Sequence, residues 1–132
     1  MKLLDSDTCI GILRGRREVL HRRLAETDEV ATTWVTAAEL FYGAEKSVSR
    51  DVNLALVVRF LDTLPVLSTD LASARLFGEW KARLASVGQI VADADLFIAA
   101  IALSRGATLV TGNRRHYERI AGLVIEDWLR SL

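Results

Sequence analysis

Short aliphatic or β-branched runs alternate with helix-period segments from one end of this 132-residue chain to the other, and each run stops at a polar corner. Lys2-Leu3-Leu4 ends in Asp5-Ser6-Asp7, Val30-Ala31-Thr32-Thr33-Trp34-Val35 runs into Thr36, and Thr108-Leu109-Val110 ends in Thr111-Gly112-Asn113. Strands that alternate with helices favour an α/β domain with a mainly parallel sheet covered on both faces. The strands are short, so the sheet is small. In such sheets ligands bind outside the carboxyl ends of the strands, which makes the polar corners the first places to look for chemistry.

The spacing predicts strands at 2–5, 30–35, 66–67, 108–110 and 123–125. Helices are expected at 7–14 (Cys9, Ile10 and Leu13 inward), at 17–26 (Leu20 and Leu24 four apart) and from Thr36 to Lys46. Further helices are expected from Leu54 to about Leu64, over 70–86, over 94–105 and around His116-Tyr117. Thr36-x-x-Glu39 reads as a capping box, and Asp7 or Ser6 as the cap of the first helix. The run Leu96 to Leu103 is apolar almost all round, which predicts a helix buried on most sides. Residues 1–132 are read as one domain. Trp34, Phe77, Trp80 and Phe97 are expected in the core.

Composition narrows the function classes. Apolar residues make up 51% of the chain, enough for a core. Seventeen basic and 17 acidic residues give a net charge of zero, so any nucleic-acid binding must come from local clusters. A single cysteine and two histidines exclude an internal disulfide and a typical zinc site. No apolar run reaches the length of a membrane span, and a reducing cytoplasm is the expected location. No Gly-x-Gly-x-x-Gly follows the first strand and no Walker-type loop is present.

Asp5, Glu39, Asp95 and Asn113 each follow a strand or open a helix after a polar corner. Each has a bland local reading as a cap or turn residue. Together, at one edge of a parallel sheet, the carboxylates would repel one another, and a cation is the natural compensation. Oxygen donors without Cys or His point to Mg²⁺, with Mn²⁺ as the alternative, and so to phosphoryl transfer or phosphodiester hydrolysis. Asp7, Thr111 and Asp93 are supporting candidates. Arg14, Arg16, Arg17, Lys46, Arg114 and Arg115 are candidates for contacts to the phosphates of a nucleic-acid backbone.

These residues resemble those of a PIN-domain ribonuclease of the VapC toxin type. The resemblance rests on Leu3-Leu4-Asp5-Ser6-Asp7, on Thr36-Ala37-Ala38-Glu39-Leu40-Phe41-Tyr42-Gly43, on Asp95-Leu96-Phe97-Ile98-Ala99-Ala100 and on Leu109-Val110-Thr111-Gly112-Asn113 with His116-Tyr117-Glu118-Arg119-Ile120. Ser6 departs from the family's usual threonine, and Asn113 stands where some PIN nucleases have aspartate. The resemblance implies a three-layer α/β/α fold and a Mg²⁺- or Mn²⁺-dependent endoribonuclease that acts as a homodimer on RNA, tRNA or rRNA among its targets. It also implies a cognate antitoxin, whose complex with the toxin binds operator DNA. It assigns Asp5, Glu39 and Asp95 to the metal, with Asn113 and Thr111 positioning phosphate or water. A non-enzymatic interaction component and a small phosphatase are the competing readings.

Overall fold

The computed structural model describes residues 1–130. Five strands, β1 (Lys2–Leu4), β2 (Val30–Thr33), β3 (Val66–Leu67), β4 (Thr108–Val110) and β5 (Ile125–Glu126), form one sheet in the order β3-β2-β1-β4-β5. Every pairing is parallel. The chain builds outward from β1 to β3 on one side, then crosses to the other side for β4 and β5. The strand order therefore reverses between β1 and β4, and in open parallel sheets the ligand crevice forms at such a reversal.

Among the described residues seven helices cover the sheet: α1 (Ser6–Leu13), α2 (Arg17–Ala25), α3 (Trp34–Glu45), α4 (Arg50–Leu61), α5 (Leu71–Ser86), α6 (Asp93–Arg105) and α7 (Arg114–Tyr117). Side chains alternate across a strand, and the two cores follow that alternation. Leu3 and its register partners Ala31 and Leu109 pack with Trp80 and Leu84 of α5 and with Leu96, Ile98 and Ile101 of α6. Leu4 and Val110 pack on the other face with Cys9 of α1, Val19 of α2, Leu40 and Ala44 of α3, and Val57 of α4. The result is a helical layer on each side of a small parallel sheet. α6 is buried along most of its length, as its apolar sequence requires, and Gly106 ends it in the left-handed region at φ 61°. Cys9 is fully buried, and burial pushes its thiol up to about 12. Among the described residues no helix is long and apolar enough to cross a membrane.

Several boundaries differ from the sequence reading, for local reasons. β2 ends at Thr33 because the Thr33 side chain accepts from the Thr36 backbone N–H, 3.1 Å away, and starts α3. Trp34 and Val35 therefore lie in a helix. The expected Thr36–Glu39 capping box does not form, and Glu39 falls beyond the first turn. A capping box forms at α5 instead, between Asp70 and Ser73. α1 is capped by Asp5, whose side chain accepts from Ser6 N, and not by Asp7 or Ser6. The last strand is displaced to Ile125–Glu126.

Some residues expected inward are exposed: Leu24 at 86%, Ile10 at 38% and Trp34 at 41%. The Trp34 ring is nevertheless fixed. Its indole N–H donates to Thr69 Oγ1 at 2.7 Å, and its centroid lies 5.9 Å from that of Phe97, which stacks on Phe77 at 4.0 Å.

The reassigned cap gives a direct test. Thr33→Ala removes the acceptor at the α3 N-terminus and is expected to lower stability by about 1 kcal/mol. Urea unfolding followed by circular dichroism measures this; an unchanged midpoint would contradict the cap.

Candidate active site

Asp5 is the first residue past β1, and strand alternation turns it toward the same face as Leu3, where α6 lies. Thr111 occupies the equivalent place after β4. The two meet across the strand-order reversal: Thr111 Oγ1 donates to Asp5 Oδ2 at 2.8 Å. The Ser6 backbone N–H donates to Asp5 Oδ1 at 2.8 Å. Tyr117, from α7, brings its hydroxyl to 3.2 Å from Asp5 Oδ2 and 3.3 Å from Asp95 Oδ1. Asp95 lies in the first turn of α6, and its Oδ2 is 2.9 Å from His116 Nδ1. Asp5 and Asp95, ninety positions apart in sequence, are thus joined through one phenolic oxygen.

Asp5 is only 4% exposed. Burial pushes its carboxyl up to about 6; the Ser6 and Thr111 hydrogen bonds oppose that rise, and the negative charges of Asp7 and Asp95 add to it. Burial also raises Tyr117 far above the ordinary phenol range, reinforced by Asp5 and Asp95, so its hydroxyl remains a donor.

Glu39 joins this group at its edge. Its Oε1 accepts from Ser6 Oγ at 2.8 Å, while Ser6 N holds Asp5. Glu39 is exposed and faces a groove of about 590 Å³ between α1, α3 and α4, where Arg14 and Lys46 also lie. Asp7 has a structural task. It accepts from Thr8 N at 2.7 Å and from Gly112 N at 2.8 Å, tying the corner after β1 to the corner after β4. A Cβ on Gly112 would come within 2.6 Å of Leu129 Cδ1 and 3.0 Å of Asp7 Oδ2, so a side chain here would have to displace Leu129.

The remaining candidates fall into place unevenly. Asn113 is exposed just before α7; its backbone N–H donates to Thr111 Oγ1 at 3.0 Å, and its side chain does not cap the helix. Asp93 is held outward by Lys81, 3.0 Å away, although it is only two residues from Asp95. Arg114 and Arg115 are exposed on α7. Arg17 is exposed at the start of α2, and Arg16 is engaged by the Leu129 carbonyl at 2.9 Å. Sequence reasoning did not place Ser6, His116 or Tyr117 in the site. A four-residue helix shows no periodicity from which an inward tyrosine could be read.

Among the described residues no three His, Cys, Asp or Glu side chains form a ready-made metal cage. Mg²⁺ does not need one, because it commonly binds through one or two carboxylates and keeps several waters. A buried carboxylate with a raised pKa, beside a second carboxylate and backed by hydroxyl donors, fits such an ion. Asp5 and Asp95 are the side chains that would hold it; Glu39 is linked to the pair through Ser6.

A PIN domain model matches residues 2–123. The chain belongs to the PIN-domain family. Its relatives place it in the VapC branch. It is 41% identical over 127 residues to the tRNA(fMet)-specific endonuclease VapC of Salmonella typhimurium strain LT2, covering 96% of each chain. It is 36% identical over 128 residues to Ribonuclease VapC2 of Haemophilus influenzae, covering 96% of this chain and 97% of the relative. The structure is similar to that of DNA-bound VapBC from Salmonella typhimurium, with a TM-score of 0.90 and 40% identity over 96% of this chain and 97% of the other. The three-layer PIN fold expected from the sequence is therefore present.

The charge of Asp5 in this PIN domain carries a stability cost that can be measured. Its pKa is raised on folding, so stability falls as pH rises from the ordinary value of 3.8 through about 6. At roughly 1.4 kcal/mol per pH unit the cost is about 3 kcal/mol above that window. Asp5→Asn keeps the acceptor for Ser6 and faces two hydroxyls that can accept from its amide. In chelator-treated protein it should therefore raise the unfolding temperature at pH 7.5, with the gain vanishing near pH 4. A variant less stable than wild type at pH 7.5 would refute this.

Proposed function

We propose that this chain is an endoribonuclease that hydrolyses RNA phosphodiester bonds with Mg²⁺ or Mn²⁺, and that it is the toxin of a toxin–antitoxin pair. The observation that carries the reading is the Asp5–Asp95 pair, two carboxylates sharing one buried hydroxyl at the β1–β4 crevice. The names of the full-length relatives, an endonuclease specific for tRNA(fMet) and a ribonuclease, support RNA as the substrate and favour tRNA. The DNA-bound VapBC neighbour supports an antitoxin partner and operator DNA bound through the complex. The groove between α1, α3 and α4 offers such a partner an apolar lining, with Ile10, Leu13, Leu40 and Leu56 beside Glu39. A homodimer in the cytoplasm completes the reading.

A divalent ion at Asp5 and Asp95 supplies a water of lowered pKa and a counter-charge for the phosphate. The protein's own groups do the rest. Glu39, exposed and oriented by Ser6, is placed to accept a hydrogen bond or a proton from a water on the solvent side. Thr111 and Asn113 border the crevice for the scissile phosphate. Arg14 and Lys46, beside Glu39, and Arg114 and Arg115, beyond Asn113, are positioned for flanking phosphates, which orient the strand without reading its sequence.

Total cellular RNA incubated with antitoxin-free protein should yield discrete fragments with 5′-phosphate ends, and only with Mg²⁺ or Mn²⁺ present. Asp5→Asn and Asp95→Asn should each lower the rate at least about 100-fold, the scale of losing a group that acts in the transition state. Cleavage that persists in chelator, or 2′,3′-cyclic phosphate ends, would overturn the mechanism. Hydrolysis of small phosphomonoesters in place of RNA would favour a phosphatase.

A further inference from the structure

Tyr117 is fully buried in the core formed by α5, α6 and one face of the sheet. Its ring fills space there, a task phenylalanine would perform equally well. Its hydroxyl does something else. It lies 3.2 Å from Asp5 and 3.3 Å from Asp95, and among the described residues no other side chain hydrogen-bonds both. A phenol has one proton, so it donates to one carboxylate at a time and cannot satisfy both. What it can do is refer two oxygens from separate elements to one rigid point. Each carboxylate is held elsewhere by its own partners, Ser6 and Thr111 for Asp5 and His116 for Asp95. The side chain of Asp95 is 21% exposed, whereas Tyr117 has no exposure. The hydroxyl therefore approaches the pair from the protein side, and the pair faces solvent on its Asp95 side, Asp5 being 4% exposed.

We infer that Tyr117 is a positioning residue for a divalent ion: its hydroxyl sets the spacing of Asp5 and Asp95 from beneath, and the ion binds the pair from the side that faces solvent. This rests on Asp5 and Asp95 being the ion's ligands. Groups that orient metal ligands through hydrogen bonds commonly account for 10–100-fold in metal affinity, roughly. The hydroxyl is the whole of the proposal, because the ring is explained by packing.

Tyr117→Phe removes that one oxygen. Mg²⁺ is titrated calorimetrically into RNA-free wild-type, Tyr117→Phe and Asp5→Asn proteins, and the Mg²⁺ dependence of RNA cleavage is measured in parallel. Tyr117→Phe should keep a cooperative unfolding transition and bind Mg²⁺ about tenfold more weakly. Its cleavage defect should be greatest at low Mg²⁺ and recover as the ion is raised. Asp5→Asn should lose the binding altogether. Mg²⁺ affinity unchanged or tightened in Tyr117→Phe, with binding lost in Asp5→Asn, overturns the inference and leaves the ligand assignment standing. Loss of the native fold in Tyr117→Phe also overturns it, since the hydroxyl would then be structural. Failure of the wild-type protein to bind Mg²⁺ overturns both.

Discussion

A carboxylate at 4% exposure has to be held by donors, and the way Asp5 is held organises this molecule. A backbone N–H from the helix it caps and hydroxyls from Thr111 and Tyr117 converge on its two oxygens. These donors offset only part of the cost of removing the charge from water. The remaining imbalance is what an ion-binding site requires: negative charge that the protein alone leaves undercompensated. The same geometry links fold to chemistry, because β1 must pair with β4 for the corners after the two strands to meet.

The acids around Asp5 have separated into different tasks, and their environments explain the division. Asp95 shares a hydroxyl with Asp5 and has a histidine on its other oxygen. Glu39 is exposed and tethered by Ser6. Asp7 is spent on backbone N–H groups and joins two loops. Asp93 is neutralised by Lys81 on the outer surface. Four carboxylates near one sheet edge therefore do not form a uniform acidic patch.

Much of this was legible in the sequence. The alternation of strands and helices gave the parallel sheet, the all-apolar run gave the buried α6, and the polar corners gave Asp5 and Thr111. What failed was local competition between equivalent residues. Thr33 and Thr36 both suit a helix cap, and the choice of Thr33 moved Glu39 out of the first turn. Ser6, Asp7 and Asp5 all suited the cap of α1 in the sequence, and Asp5 caps it while also facing the site. Tyr117 and His116 were visible as part of the closing segment but carried no site role in the sequence, because their roles depend on contacts across the fold. Leu24 shows the converse: its spacing from Leu20 suggested packing, but α2 has little against which to bury it.

The partners of Asp5 are remote in the chain. Thr111 lies 106 positions away and Tyr117 lies 112. During synthesis Asp5 leaves the ribosome early, and beyond the adjacent Ser6 N–H its side-chain partners are absent until β4 and α7 have been made. A nascent chain lacking that last segment carries an aspartate without the groups that define its surroundings. The order of translation therefore sets when the constellation can exist: it assembles only once the closing part of the sheet has been made.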